Sequence, residues 1–179
     1  MIETDLPQFD VRRLLLDITK VRYLYNGHHV NLRVPNALSD HTGVYYGAES
    51  LYRKNVQVIQ QSEYDRFLSV LDDSYLKSVC EQTIDYISSS YNLSVGRVRV
   101  AILPHKYCLT YHRDPESAYR FHIPVVTNEN VMFIIDDTVR RMDICGQLYM
   151  LDVQKKHTVL NASREERIHI IFDGYVPTT

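Results

Sequence analysis

At 179 residues, with 45% hydrophobic and 23% charged residues, the chain has the size and composition of one globular domain able to bury a core, and neither disorder nor a coiled coil is indicated. A formal net charge of −2 with no basic run gives no reason to expect a nucleic-acid partner. The opening Met1-Ile2-Glu3-Thr4-Asp5 lacks the basic stretch and apolar segment of a leader, and nowhere do about 18 apolar residues follow one another, so a cytoplasmic protein without a membrane span is expected. In chain order, residues 11–21 read as a helix-like run. Tyr- and His-bearing segments follow, broken by Gly27, Pro35, Gly43 and Gly47 in the manner of short strands and loops. Two helices are then predicted. One is capped by Ser62 and carries Tyr64, Phe67, Leu68 and Leu71, and the other carries Leu76, Val79, Cys80, Thr83, Ile84 and Ile87. From Arg97 the pattern changes to short strands at 97–103, 107–112, 119–126, 131–135, 139–144, 148–151 and 167–172. Asp114-Pro115, residues 127–130, Asp136-Asp137 and Gly146 punctuate them. So many short strands predict an all-β barrel or jelly roll, with the helices of the N-terminal half bracing one sheet. No repeat or linker divides the chain. A single domain is expected, with 1–96 as N-terminal strands and bracing helices and 97–176 as the barrel. Cys80, Cys108 and Cys145 are odd in number and not closely spaced, which suits buried, reduced thiols.

Candidate chemistry gathers at His112-Arg113-Asp114 and at His157, 45 residues after His112. Two imidazoles and one carboxylate make the facial triad of non-haem Fe(II), whose three open positions admit O2 and a chelating co-substrate. His112 and Asp114, two residues apart, share a face at an extended strand end, and His157 lies near a strand edge where it closes the triad. A single His-x-Asp is common by chance, so ordinary polar residues at a loop boundary remain an open reading. The same triplet opens the catalytic loop of protein kinases, but Asp-Phe-Gly is absent and Tyr occupies position 119, where a kinase needs Asn. A kinase is excluded.

Arg120 and His122 alternate with Tyr119, Phe121 and Ile123, and Arg167, His169 and Ile171 repeat that layout. A guanidinium is the natural bidentate partner for the far carboxylate of a small dicarboxylate bound near iron. Alternation alone does not decide whether these rows face inward or toward solvent. His28, His29, His41 and His105 read as ordinary hydrogen-bonded or solvated histidines, and Tyr23, Tyr25, Tyr45 and Tyr46 as half-buried packing. Arg113, Lys155 and Lys156 read as a solvated rim.

Taken together, Tyr111-His112-Arg113-Asp114, Tyr119-Arg120-Phe121-His122-Ile123-Pro124, Gly146, His157-Thr158-Val159-Leu160-Asn161 and Arg167-Ile168 resemble the aspartyl/asparaginyl β-hydroxylase family, from about Arg97 to Asp173. The resemblance implies a mainly β protein, a double-stranded β-helix (jelly roll, cupin-like), working as a dioxygenase with Fe(II), 2-oxoglutarate and O2. It implies that His112 and His157 bind iron and that Asp114, a carboxylate some members lack, completes the triad. By the same likeness Arg167 holds the distal carboxylate of 2-oxoglutarate, with Arg120 and His122 contacting the co-substrate from the facing strand. A serine that contacts the co-substrate in some members has no counterpart in 97–103. The implied reaction hydroxylates an amino-acid side chain, free or in a peptide or protein, and releases succinate and CO2. The alternatives are a non-catalytic cupin-like barrel that binds a small molecule or metal, which intact Asp114 and Arg167 argue against, and a structural or partner-binding protein. A halogenating oxygenase is disfavoured because Asp114 fills the position halide would take. Substrate selectivity is expected from the N-terminal region, with 27–52 as a wall of the cleft.

Overall fold

Asp10 starts the first helix, α1 (Val11–Val21), by accepting the Arg12 and Arg13 amides at 2.9 and 3.3 Å, as a short acceptor at an N-cap does. Leu14, Ile18 and Val21 form its buried stripe. The second helix, α2 (Tyr75–Tyr91), is capped by Ser74 on the Lys77 amide at 3.0 Å and stops at Asn92 in the left-handed region, φ 53°. Buried Asp17 ties the two together, accepting the Leu76 amide at 3.0 Å and pairing with Lys20 at 2.6 Å. The computed structural model describes residues 1–25, 28–36, 59–114 and 117–177.

The helix expected from Ser62 to Leu71 is not formed. Gln61–Glu63 and Ser69–Leu71 are single 3-10 turns around strand β4 (Tyr64–Phe67), which pairs with β3 (Arg33–Pro35). The predicted run is shorter than the ~12–15 residues at which an isolated helix becomes even marginal. Long-range pairing wins, and the Leu68 amide donates to the Leu32 carbonyl at 3.0 Å.

The remaining strands are β1 (Ile2–Glu3), β2 (His29–Asn31), β5 (Ser94–Leu103), β6 (Tyr107–Cys108), β7 (Tyr119–Val126), β8 (Val131–Ile135), β9 (Thr138–Arg140), β10 (Tyr149–Leu151), β11 (His157–Asn161) and β12 (Arg167–Tyr175). They form antiparallel sheets in the orders β1-β10-β7-β12-β5-β2 and β6-β11-β8-β9, the jelly-roll, cupin-like architecture expected. Two predicted strands are shorter than anticipated. Residues 139–144 give only the exposed β9, because the chain then turns inward to bury Met142 and bends at Gly146, φ 82°. Residues 107–112 give β6 and an isolated bridge between His112 and His157.

The six-stranded sheet is buried on both faces. Val98, Val100, Phe121, Ile123, Ile170 and Phe172 join the helical stripes in one apolar core. Register across β5, β12 and β7 pairs Ile171 with both Arg99 and His122, and Asp173 with Arg120. The opposite face therefore carries a charged row that is buried rather than solvated. A second core, including Leu103, Phe133, Tyr149 and Leu151, lies on this inner side.

Candidate metal and co-substrate site

His112 and His157 exchange backbone hydrogen bonds at 3.0 and 2.8 Å, which sets their rings 4.6 Å apart. His112 Nδ1 lies 2.6 Å from the Thr110 carbonyl and His157 Nδ1 lies 2.9 Å from the Lys155 carbonyl. A carbonyl only accepts, so each Nδ1 carries a proton, and each ring turns toward Asp114 its Nε2, the atom that would ligate a metal once free of its own proton. Asp114 Oδ2 is 3.2 Å from His157 Nε2 and 3.7 Å from His112 Nε2, and the three donor atoms lie within 4.8 Å of one another. Bonds of about 2.0–2.2 Å at right angles require donors roughly 3 Å apart, so the set fits a first-row divalent metal after small side-chain adjustment. Burial pushes the Asp114 carboxyl up, but Arg120 and the two imidazoles outweigh it and hold the carboxyl well below its usual range.

The triad borders a cavity of about 730 Å³, within the ~300–1,000 Å³ typical of small-molecule sites. Five arginines line it, of which Arg97, Arg99, Arg120 and Arg167 are buried and Arg113 is exposed. Arg167 Nη2 is 2.7 Å from His169 Nδ1 and 3.4 Å from His122 Nδ1, and its guanidinium lies 5.3 Å from the Phe133 ring centre. Its Nε has no hydrogen-bond partner, and no ion pair joins Arg167 to a carboxylate among the described residues. Burial, then Arg99, bring Arg167 down to about 9. Burial followed by Arg167 pushes His122 and His169 well below the ordinary histidine value, so both rings are neutral at pH 7. His169 accepts from Arg167 at Nδ1, and its Nε2 is buried without a partner.

Arg120 is engaged elsewhere. It donates from Nη1 to Asp114 Oδ2 and from Nε to Asp173 Oδ1 at 2.6 Å. Asp173, with no exposed surface, also accepts from Arg97 Nε at 2.8 Å and from Arg99 Nη1. Burial raises its carboxyl, and the guanidiniums of Arg120, Arg99 and Arg97 overcome this and hold it well below the usual range.

The six residues named from the sequence, His112, Asp114, Arg120, His122, His157 and Arg167, all line this one cavity. Arg97, Arg99 and Asp173 escape the sequence reading. The first two alternate with Val98 and Val100 as Arg120 alternates with Phe121, and that regularity is the signal by which they are found. His28 and His29 also line the cavity, and burial followed by Arg99 and Arg97 brings His29 down to about 3. His105, Arg113, Lys155 and Lys156 are exposed, and Tyr23 is more exposed than the expected half-buried packing. Cys80 is buried as expected, but Cys108 is exposed because it lies on the edge strand β6. His41, Tyr45, Tyr46 and most of the expected substrate wall at 27–52 lie outside the described residues.

Fold and site together define a cupin-like barrel with a His/Asp/His cluster at an arginine-lined cavity. The sequence profile described as aspartyl/asparaginyl beta-hydroxylase matches residues 57–177, and the chain belongs to that family. Among solved structures, AviO1 from Streptomyces viridochromogenes Tue57 shares the fold with a TM-score of 0.55 and 13% identity, covering 94% of this chain and 85% of that one. Weaker likenesses include a non-heme monooxygenase, the ThoJ–Ni complex (TM-score 0.45, 16% identity, 56% of this chain). The chain spans 53% of that protein's length. A cupin domain from Bordetella pertussis Tohama I gives a TM-score of 0.38 at 17% identity, over 46% of this chain and 91% of that one. No curated protein matches the chain. Among the described residues, no helix is long and apolar enough to cross a membrane.

Proposed function

We propose that the chain is a single-domain Fe(II)- and 2-oxoglutarate-dependent dioxygenase that hydroxylates an amino-acid side chain, free or within a peptide or protein. His112, Asp114 and His157 hold the iron, and Arg167, with His122 beside it, takes the distal carboxylate of 2-oxoglutarate. When bound, the metal supplies O2 activation, coupled to conversion of the co-substrate to succinate and CO2. The chain's own groups prepare for this. The Thr110 and Lys155 carbonyls fix both ligand imidazoles with Nε2 turned toward Asp114, and Arg120 keeps Asp114 ionised. Neutral His122 and His169 leave the charge of Arg167 to an incoming anion. Phe133, Leu151 and Val159 on the cavity wall exclude water, which strengthens each of these electrostatic contacts.

The observation that carries the reading is Arg167, a buried guanidinium with an orphaned Nε and no carboxylate pair among the described residues, sharing one cavity with a ready metal-ligand set. The test is anaerobic loading with Fe(II) and 2-oxoglutarate, admission of O2, and detection of succinate by mass spectrometry. Slow succinate formation without substrate is expected, and none from His157→Ala. Binding of both ligands with no succinate under any substrate screen would make the protein a non-catalytic binder instead.

A further inference from the structure

The Asp114 oxygen that faces the two imidazoles is also the oxygen that Arg120 holds. Oδ2 is 3.2 Å from His157 Nε2 and 3.7 Å from His112 Nε2, and it accepts from Arg120 Nη1. The same guanidinium is tied through Nε to Asp173 Oδ1 at 2.6 Å, and Asp173 is secured by Arg97 and Arg99. The Asp114 backbone is fixed separately, its amide donating to the Val153 carbonyl at 3.0 Å. Arg120 therefore bridges two buried carboxylates, one at the metal position and one on β12.

Resting on the metal reading above, we propose that Arg120 is a positioning residue that competes with the metal for Asp114. It keeps the carboxylate aimed at the imidazoles and gives up Oδ2 to an incoming divalent cation, while Asp173 retains the guanidinium. Two cations on one carboxylate oxygen repel each other strongly in a desolvated site, and a guanidinium does not shed its charge to relieve this. A displaced arginine needs an anion nearby, since an unpaired buried charge is costly. Asp173 is that anion. This assigns Arg120 to the metal ligand rather than to the co-substrate, which falls to Arg167.

The test uses the full chain, stripped of metal and titrated calorimetrically with Fe(II) under anaerobic conditions and with Mn(II) as an oxygen-stable probe. Arg120→Gln removes the competing charge and is expected to tighten metal binding by ~10-fold, whereas Arg120→Lys keeps a charge there and is expected to show no such gain. Asp173→Asn removes the retaining carboxylate, shifts the Arg120 guanidinium toward Asp114, and is expected to weaken metal binding by ~10-fold. Opposite signs at two residues in direct contact are the signature, because a purely supporting role lowers affinity in both. Should Asp173→Asn fail to fold, the Arg120→Gln and Arg120→Lys pair still decides. Titration of 2-oxoglutarate into Mn(II)-loaded Arg120→Gln is expected to match the wild type. Weaker metal binding in folded Arg120→Gln, or selective loss of its 2-oxoglutarate affinity, overturns the proposal. A wild-type chain that binds neither metal overturns the metal reading itself.

Discussion

Replacing Arg167 with methionine is expected to stabilise the metal-free protein while removing its affinity for 2-oxoglutarate. The residue is 4% exposed, its Nε lacks a partner, and burial with Arg99 brings its pKa from 12.5 to about 9. At ~1.4 kcal/mol per pH unit, that change corresponds to roughly 5 kcal/mol against the charged form. Because the folded value is the lower one, the penalty is felt in full below about pH 9 and fades only above it. Against it stand the hydrogen bond to His169 and the cation–π contact with Phe133, about 1–2 kcal/mol each. A net gain of about 2 kcal/mol is in keeping with replacement of other buried ionic groups by apolar ones of similar volume. At ~2–4 °C per kcal/mol for a chain of this size, the melting temperature should rise by about 4–8 °C in scanning calorimetry at neutral pH. The same substitution removes a charge-assisted contact of roughly 1.5–3 kcal/mol, so 2-oxoglutarate affinity on Mn(II)-loaded protein should fall by at least ~10-fold. A lower melting temperature would show that the fold already compensates the guanidinium, and undiminished affinity would place the dicarboxylate elsewhere. Either result refutes the reasoning.

Acid should destabilise the metal-free protein earlier than carboxylate titration alone would. His122 and His169 are held neutral by burial and then by Arg167, so the unfolded chain takes up protons near pH 6.5 that the folded chain refuses. Stability then falls by up to ~1.4 kcal/mol per pH unit for each ring below about 6.5, and urea midpoints that do not move between pH 7.5 and 5.5 would contradict this. His112→Ala and His157→Ala should abolish Fe(II) binding in a chelator competition, whereas Asp114→Ala should weaken it by ~10- to 100-fold, and equal loss in all three would mean the carboxylate matters as much as either ring. At Gly146, φ is +82° and an added Cβ would collide with the Phe9 carbonyl oxygen. Gly146→Ala should therefore cost about 1–3 kcal/mol in urea denaturation without changing metal affinity.

The strands that carry the site were legible because each alternates over many residues. Arg120 and His122 against Phe121 and Ile123, and Arg167 and His169 against Ile168 and Ile170, are unambiguous period-two runs. Which face turned inward was not legible, since both faces of the six-stranded sheet are buried and the polar one is satisfied by partners far away in sequence. Asp173 shows this best. Its three guanidinium partners lie on β5 and β7, and no local spacing announces an ion pair closed across a sheet. The 62–71 segment failed for the converse reason, its four apolar residues matching helical spacing while β3 offered a better partner. Strands β1, β2 and β3 span two or three residues and are too short to alternate at all. The five residues of β11 alternate in burial, but its polar His157, Thr158 and Asn161 leave only Val159-Leu160 as an apolar pair, so no period-two hydropathy pattern marks the strand.

The position of β12 bears on how the protein is made. It lies between β5 and β7 but follows both in sequence, so during synthesis each of those strands has one unpaired edge until β12 leaves the ribosome. At ~5–20 residues per second, the roughly fifty residues from the end of β7 to the end of β12 keep those edges open for several seconds. Exposed edges of this kind invite pairing with the wrong strand or another chain. Arg97 and Arg99 on β5 and Arg120 on β7 carry like charges through that interval, which discourages β5 and β7 from zipping directly together. Asp173 then arrives on β12 as the counter-charge that makes the intended neighbour the favourable one. The pairing that closes the sheet is thus also the one that neutralises the charged row.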